Sequence, residues 1–553
     1  MKPLLCLVTF AAVCWSTVAS ALDAHPTKPN IVLILADDMG YSDLGCFGSE
    51  IPTPNLDALA ADGLRLTQFY NTARCSPTRA ALQTGLNPHQ AGMGRLAEEK
   101  IGASAKLPEG YLGYLNNHCV TLAEVLHSVG YHTYMAGKWH LGMRDESKWP
   151  RQRGYDRFYG ILTGAAKYFQ PGGERGLTLD NQQLPTPTNA DYYTSDAFTD
   201  FAIKNVQDTQ TNEPFFLYLA FNAPHWPLQA RPEDVAKFVG KYGKGWDKLR
   251  EVRHAKQIKM GIVSQDWPLS PRDPGARAWD ALTDEQKTNL DYRMAVYAAQ
   301  VWRLDWNVGR IVATLRERGQ LDNTLIVFLS DNGACAEPYT DLGGGKQEQV
   351  NNPAAFGPIS YGQGWANNSD TPFRRFKSML HEGGIAAPFI VHWPAGLKTK
   401  PGSLNAMPGY IADIMPTFLE VSGATYPKEY KGQAITPYIG RSLVPIFSAA
   451  SQMLPPRVLY WEQYGFKAVR DGDLKAVFSP KEMYDHHGTG RWELYDEAKD
   501  RTEQHDLAAE RPEELKKLQD EWTAWADRSQ VFPAPGGPKR EEAKTKAAPD
   551  DKE

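Results

Sequence analysis

Cysteine is scarce in this chain. There are six in 553 residues, and two of them, Cys6 and Cys14, fall in the first stretch of the sequence. Cys46, Cys75, Cys119 and Cys335 remain, too sparse a set to build a disulfide-framed fold. Long apolar runs are missing as well: after the N-terminal segment no stretch is long and apolar enough to cross a bilayer. An excess of one charge is also absent. Lys and Arg number 60 against 65 Asp and Glu, for a net charge of −5, which gives no sign of a nucleic-acid partner and confines any basic chemistry to local sites. The sequence contains no internal repeat.

What the chain does have begins with Met1-Lys2-Pro3, an apolar stretch from Leu4 to Val18 and the small residues Ala19-Ser20-Ala21. These are the basic, apolar and small-residue regions of a signal peptide over residues 1–21, with cleavage after Ala21. Cys14 follows Val13 rather than a small residue, so there is no lipoprotein box. The mature protein is expected to be exported, periplasmic or secreted, with no membrane attachment once the leader is cleaved. A hydrophobic content of 42% with 11% aromatic residues excludes wholesale disorder.

Ile31 to Ala36 is an unbroken apolar run of strand length, the pattern of a buried parallel strand, and Asp37-Asp38 arrive where it ends. Thr324 to Ser330 repeats the design and delivers Asp331-Asn332-Gly333. Tyr131 to Ala136 precedes Gly137-Lys138-Trp139-His140, and Phe215 to Ala220 precedes Asn222-Ala223-Pro224-His225. Val301, Leu304, Val308, Ile311 and Leu315 recur at three- and four-residue steps, one apolar face of a helix. Strands alternating with helices predict an α/β sandwich in which ligands gather at the carboxyl ends of the strands. Residues 226–282 read as an excursion, partly helical, either over the active face or as a plain surface insertion.

From about Leu443 the texture changes to short strands at Arg457 to Glu462, Gly465 to Arg470, Leu474 to Phe478 and Trp492 to Tyr495, with a helix near Pro512 to Ala526. A small antiparallel sheet with a packed helix is expected. The predicted organisation is a catalytic domain over 22–442, a C-terminal subdomain over 443–531 and a disordered tail over 532–553.

The most informative stretch is Cys75-Ser76-Pro77-Thr78-Arg79, followed by Ala80-Ala81-Leu82-Gln83-Thr84-Gly85. A thiol before a helix-forming segment stands at a helix start, where unpaired N–H groups and Arg79 make an electropositive corner that suits an anion. Asp37, Asp38, Asp331 and Asn332 offer only oxygen, which suits calcium or magnesium better than zinc. Taken alone, Asp-Asp also caps helices, and Asp-Asn-Gly is also an ordinary turn.

Together these motifs resemble the sulfatase family, and bacterial arylsulfatases within it, over roughly residues 28 to 530. The resemblance implies an alkaline-phosphatase-like α/β sandwich with a large mixed sheet, and conversion of Cys75 to Cα-formylglycine (3-oxoalanine) by a formylglycine-generating enzyme. It implies a calcium site, magnesium being possible, made by Asp37, Asp38, Cys75, Asp331 and Asn332. In the implied mechanism one hydroxyl of the hydrated aldehyde binds the metal and the other attacks sulfur. Arg79 stabilises the alkoxide, and a base then expels sulfate. Lys138 matches the sulfate-binding lysine and His140 the histidine beside the hydrated aldehyde. On an extended segment these two would share a face; a surface lysine and a core histidine are the plain alternative.

His225 and Lys377 match the pair at the ester oxygen, one of which protonates the leaving group. Arg374 and Arg375 flank Lys377, so a surface cation is the alternative there. If Cys75 is converted, the other three cysteines leave room for at most one disulfide. His89, His381 and His392 receive no role. The expected activity is hydrolysis of a small-molecule or carbohydrate sulfate monoester. The rival readings are a phosphodiesterase or phosphonate monoester hydrolase of the same superfamily, and a non-catalytic protein binding sulfated glycans.

Overall fold

A computed structural model describes residues 28–99, 107–481 and 487–535; the 1–21 leader and residues 536–553 of the expected tail lie outside them. Eleven strands form one mixed sheet. From one edge they run Ser403–Asn405, Leu64–Tyr70, Ala386–His392, Thr324–Ser330, Asn30–Ala36, Phe215–Ala220, His132–Lys138, Arg157–Ile161, Leu177–Leu179 and Gln182–Gln183, with Gly409–Tyr410 continuing along Leu64–Tyr70. The Asn30–Ala36 strand pairs in parallel with both neighbours, and Phe215–Ala220 pairs in parallel with His132–Lys138. Four adjacent strands therefore end on one edge, where Asp37, Asp331, Asn222 and Lys138 emerge. Every residue of Asn30–Ala36, Thr324–Ser330 and Phe215–Ala220 is buried. Covered on both faces, such strands have no solvent side to alternate with, which is why they read as unbroken apolar runs.

The periodic stretch around Val301 lies in one long helix, Asp284–Glu317, whose Leu304, Val308, Ile311 and Leu315 are buried. It starts at a capping box in which the Thr283 side chain accepts from the Gln286 amide and the Gln286 side chain accepts from that of Thr283. The 226–282 excursion contains helices Pro232–Val235 and Gly245–Lys259. It is not a plain surface insertion: its Arg253 is fully buried, 2.9 Å from Asp43 and 2.8 Å from Glu50. Asp273 lies 3.0 Å from Arg375.

Strands Val458–Gln463, Phe466–Asp471, Leu474–Phe478 and Trp492–Asp496 form the small antiparallel sheet, with helix Pro512–Arg528 after it. One face of this sheet carries Val469, Ala476 and Leu494 against Leu518, Trp522 and Trp525 of the helix. The other face joins the main core through Trp461, Phe466, Ala468 and Val477. Phe532, assigned to the disordered tail from sequence, instead packs edge-on against Trp522 at 6.2 Å between ring centroids. Trp522 is buried, and an apolar ring that helps cover it gains more by burial than a polar tail residue can. Cys46, Cys75, Cys119 and Cys335 are all buried and all free, so no pair forms among them.

The two sheets are joined by charge. Glu382 receives Lys475 at 2.7 Å, Arg501 at 2.8 Å and the Tyr70 hydroxyl at 2.9 Å, and Lys475 also reaches Glu503 at 2.9 Å. These four charged side chains are fully buried. Removing one partner of such a network strands the others without water or countercharge. Glu382→Ala is therefore expected to cost about 3–5 kcal/mol of stability, read as a fall in the urea midpoint, while Glu382→Gln, which keeps the shape and one acceptor, costs less.

Candidate active site

Helix Cys75–Thr84 begins with Cys75, and no side chain caps its N-terminus. The Cys75 and Ser76 amides have no intrahelical acceptor, and Pro77 contributes none, so this end is open to an anion. The helix is stitched to the segment after His132–Lys138. Arg79 Nη1 donates to the Lys138 carbonyl at 2.8 Å, and Ser76 Oγ donates to the His140 carbonyl at 2.9 Å.

Around Cys75 three carboxylates meet three cations, all buried. Lys138 Nζ donates to both oxygens of Asp37 at 2.8 Å. Arg79 lies 2.8 Å from Asp331 Oδ2 and 3.6 Å from Asp37 Oδ1. Lys377 Nζ is 2.8 Å from Asp38 Oδ1 and 2.9 Å from Asp38 Oδ2. Asn332 Nδ2 donates to Asp38 Oδ1 at 2.6 Å, while Asn332 Oδ1 is buried with no hydrogen-bond partner. Ligand atoms of Asp37, Asp38, Cys75 and His225 all lie within 4.8 Å of one another. That group does not include Asp331, whose carboxylate is held by Arg79; the Asp37 and Asp38 carboxylates and the Asn332 amide oxygen that nothing else satisfies are donors that suit a hard divalent cation.

The remaining expected residues are also brought here. His225 Nδ1 donates to the Trp226 carbonyl at 2.7 Å, which turns Nε2 toward Asp38 Oδ2 at 3.4 Å and Lys377 Nζ at 3.5 Å. His140 Nε2 meets Glu98 at 2.5 Å, leaving its buried Nδ1 without a partner. Lys138 and His140 do not share a face by strand alternation as expected. The strand ends at Lys138, and His140 takes a left-handed backbone with φ of 59°, so Lys138 reaches Asp37 while His140 turns to Glu98.

Burial pushes the Asp37 carboxyl up to about 8 against the pull of Lys138. It likewise lowers His225 to about 3 and His140 to about 4, outweighing Asp38 and Glu98 respectively. Burial also raises the Cys75 thiol, against Lys138 and Lys377. An unmodified Cys75 is thus held protonated, a weak nucleophile.

Of the twelve non-glycine residues with left-handed backbone among the described ones, five lie at this site. Asp38, Ala73, His140, Arg375 and Ser378 all have positive φ, and each is a site residue or lies within two residues of one. Such residues cost of order 1–3 kcal/mol each and persist where the surroundings hold them. Here the Asp38 amide donates to Asp331 at 3.2 Å and that of Ser378 to the Ala73 carbonyl at 2.9 Å. Gly137 answers a different need: its φ is 110°, and a Cβ there would fall 1.8 Å from the Ala220 carbonyl oxygen. Only glycine lets the Lys138 strand approach its neighbour so closely.

Glu98 and Glu337 were not anticipated from sequence. Glu98, followed by Glu99 and Lys100, reads as a solvated charge run, yet it orients His140. Glu337 accepts from Arg74 at 2.8 Å and from Trp226 Nε1 at 2.9 Å. Of the histidines left without a role, His89 pairs with Glu462 and His381 with Glu493, each at 2.9 Å.

Residues 29–424 match the family model described as Sulfatase, and residues 373–525 match that described as N-sulphoglucosamine sulphohydrolase, C-terminal. An uncharacterized sulfatase of Schizosaccharomyces pombe is 34% identical over 540 residues, which cover 93% of this chain and 96% of that protein. The arylsulfatase of Klebsiella aerogenes is 35% identical over 459 residues, 79% of this chain and 96% of that one. A crystal structure of Ps i-CgsB in complex with k-i-k-neocarrahexaose aligns with a TM-score of 0.64 at 26% identity, covering 90% of this chain and 93% of that chain.

Proposed function

The chain belongs to the sulfatase family and is a sulfuric ester hydrolase, and from that premise we propose that it cleaves sulfate monoesters at Cys75, converted to formylglycine by a maturing enzyme, beside a bound calcium ion. The architecture is that of the alkaline-phosphatase-like superfamily, a large mixed sheet with a smaller C-terminal antiparallel one. The observation that carries the proposal is the meeting of Asp37, Asp38 and Asp331 with Arg79, Lys138 and Lys377 around one residue at a helix N-terminus.

When present, the cation held by Asp37, Asp38, Asp331, Asn332 and residue 75 supplies Lewis-acid polarisation of oxygen, and the aldehyde supplies a hydrated nucleophile. The chain's own groups do the rest. Arg79 and the open helix end offset negative charge at residue 75, and Lys138 Nζ, now on Asp37, is placed to bind a sulfate oxygen. Glu98 holds His140 with its proton on Nε2, so Nδ1 is the atom that takes a proton. The His225–Lys377 pair delivers a proton to the departing oxygen. The leader at 1–21 supports export, and the small sheet and its helix form the subdomain at 443–531 beside a catalytic domain at 22–442.

Two measurements test this. The mass of the tryptic peptide containing Cys75 separates formylglycine from thiol. Release of inorganic sulfate from a nitrophenyl sulfate, compared with turnover of the matching phosphodiester, separates sulfatase from phosphodiesterase action.

The cation makes a separate prediction. Calcium at a hundred times its dissociation constant is expected to stabilise the chelator-treated wild type by about 2.7 kcal/mol. Asp331→Ala is expected to lose that increment and its bound metal together, whatever its own baseline stability. Equal calcium stabilisation in both proteins would remove Asp331 from the metal shell.

A further inference from the structure

The loop from Asn351 to Ile359 is fastened to the chain segment that carries His225. The Asn351 amide donates to the Leu228 carbonyl at 2.9 Å, the Leu228 amide to the Ile359 carbonyl at 2.9 Å, and the Ala230 amide to Asn351 Oδ1 at 2.7 Å. Gln229, fully buried, donates through Nε2 to the Asn352 and Ala355 carbonyls at 2.6 and 2.9 Å. This stapling fixes Phe356, which is 41% exposed. A phenylalanine pinned by a buried glutamine yet left open to solvent is placed for contact with something other than the core.

Its neighbours say where that contact lies. The His225 and Trp226 rings are 4.7 Å apart between centroids, and Trp226 lies 5.8 Å from Phe356. The Arg175 guanidinium stands 5.2 Å from the centre of the Phe356 ring and 3.9 Å from Glu98, the partner of His140. Trp226 and Phe356 thus form a short aromatic wall beside His225, and the Arg175–Glu98 pair continues it to His140.

We propose that Phe356, backed by Trp226 and faced by Arg175, is the subsite for the leaving group, and that it takes the flat, uncharged ring of an aryl or neutral-sugar monosulfate rather than a polysulfated chain. The proposal rests on the sulfatase reading above and specifies its substrate. Aromatic faces attract ring edges and the C–H faces of sugars, and they discriminate poorly among linear chains. The pairing of the nearby arginines disfavours the polyanion. Arg175 is already near Glu98, and Arg74 is held by Glu337. Both arginines are thus already paired with a carboxylate, and a second sulfate would have to displace Glu98 or Glu337 to reach them.

The test measures kcat/KM of the wild type and of Phe356→Ala on nitrophenyl sulfate, a neutral monosaccharide sulfate, ethyl sulfate and a polysulfated oligosaccharide. The wild type is expected to favour the two ring esters over the other two. Phe356→Ala is expected to lower kcat/KM on ring esters about three- to tenfold relative to ethyl sulfate, mainly through KM, and Phe356→Tyr to restore it. Selective loss on the nitrophenyl ester alone identifies an aryl group as the ring, and selective loss on the sugar ester alone identifies a sugar. Inhibition by inorganic sulfate reports the sulfate pocket independently and should be common to all three proteins. A wild-type preference for the polysulfated oligosaccharide, or an equal loss on ethyl sulfate, overturns the subsite while leaving hydrolysis intact. No sulfate from any ester, with formylglycine confirmed at residue 75, overturns the catalytic reading and the subsite with it.

Discussion

Cys75→Ala is expected to fold and to lose sulfate release by about 10⁴-fold or more, because it removes the nucleophile from a unit whose members act together. The side chain is buried, but its sulfur makes only a 3.9 Å contact with Asp38. Its loss gives up only that long contact and opens little space, so the thermal midpoint of the chelator-treated protein should barely move. Cys75→Ser is expected to fail as completely in turnover, because a single hydroxyl has no second oxygen with which to expel sulfate. Both variants are to be compared with wild type whose peptide mass confirms conversion. Full activity from a preparation in which residue 75 is demonstrably a thiol would end the formylglycine reading.

The site could be read so far from sequence because its chemistry sits at strand ends. A fully buried parallel strand announces itself as an apolar run, and the first polar residues after it must lie on the sheet's carboxyl edge. Asp37, Asp331, Lys138 and His225 all follow such apolar runs in the sequence. What lay beyond reach depends on pairing between distant segments. Leu64–Tyr70 alternates and includes arginine and glutamine, so nothing local marks it as the partner of Ala386–His392 within the large sheet. Glu382 and Lys475 are ordinary charges until 93 residues of chain fold them to 2.7 Å. Glu98 looks like a surface carboxylate because its role exists only opposite His140. The left-handed turn at His140 defeated the alternation argument for a similar reason: the tertiary contacts that hold it override the extended preference of the flanking residues.

The last expectation concerns the proton for the departing oxygen. His225 Nδ1 is spent on the Trp226 carbonyl, so Nε2 is the only ring position that can exchange a proton with substrate, and Lys377 Nζ stands 3.5 Å from it. Nitrophenolate leaves without help, whereas an alkoxide or sugar hydroxyl needs a proton in the transition state. His225→Ala is therefore expected to cost about 10²- to 10⁴-fold in kcat/KM on alkyl and sugar sulfates and far less on nitrophenyl sulfate. Lys377→Ala should show the same slope against leaving-group pKa, and the double variant should be little worse than the more damaged single one, because the two serve one proton. Lys138→Ala should instead impair every ester alike, since all present the same sulfate oxygens. A flat loss for His225→Ala across the series would show that His225 only positions the sulfate. A steep dependence surviving in Lys377→Ala alone would then place the acid on Lys377 Nζ.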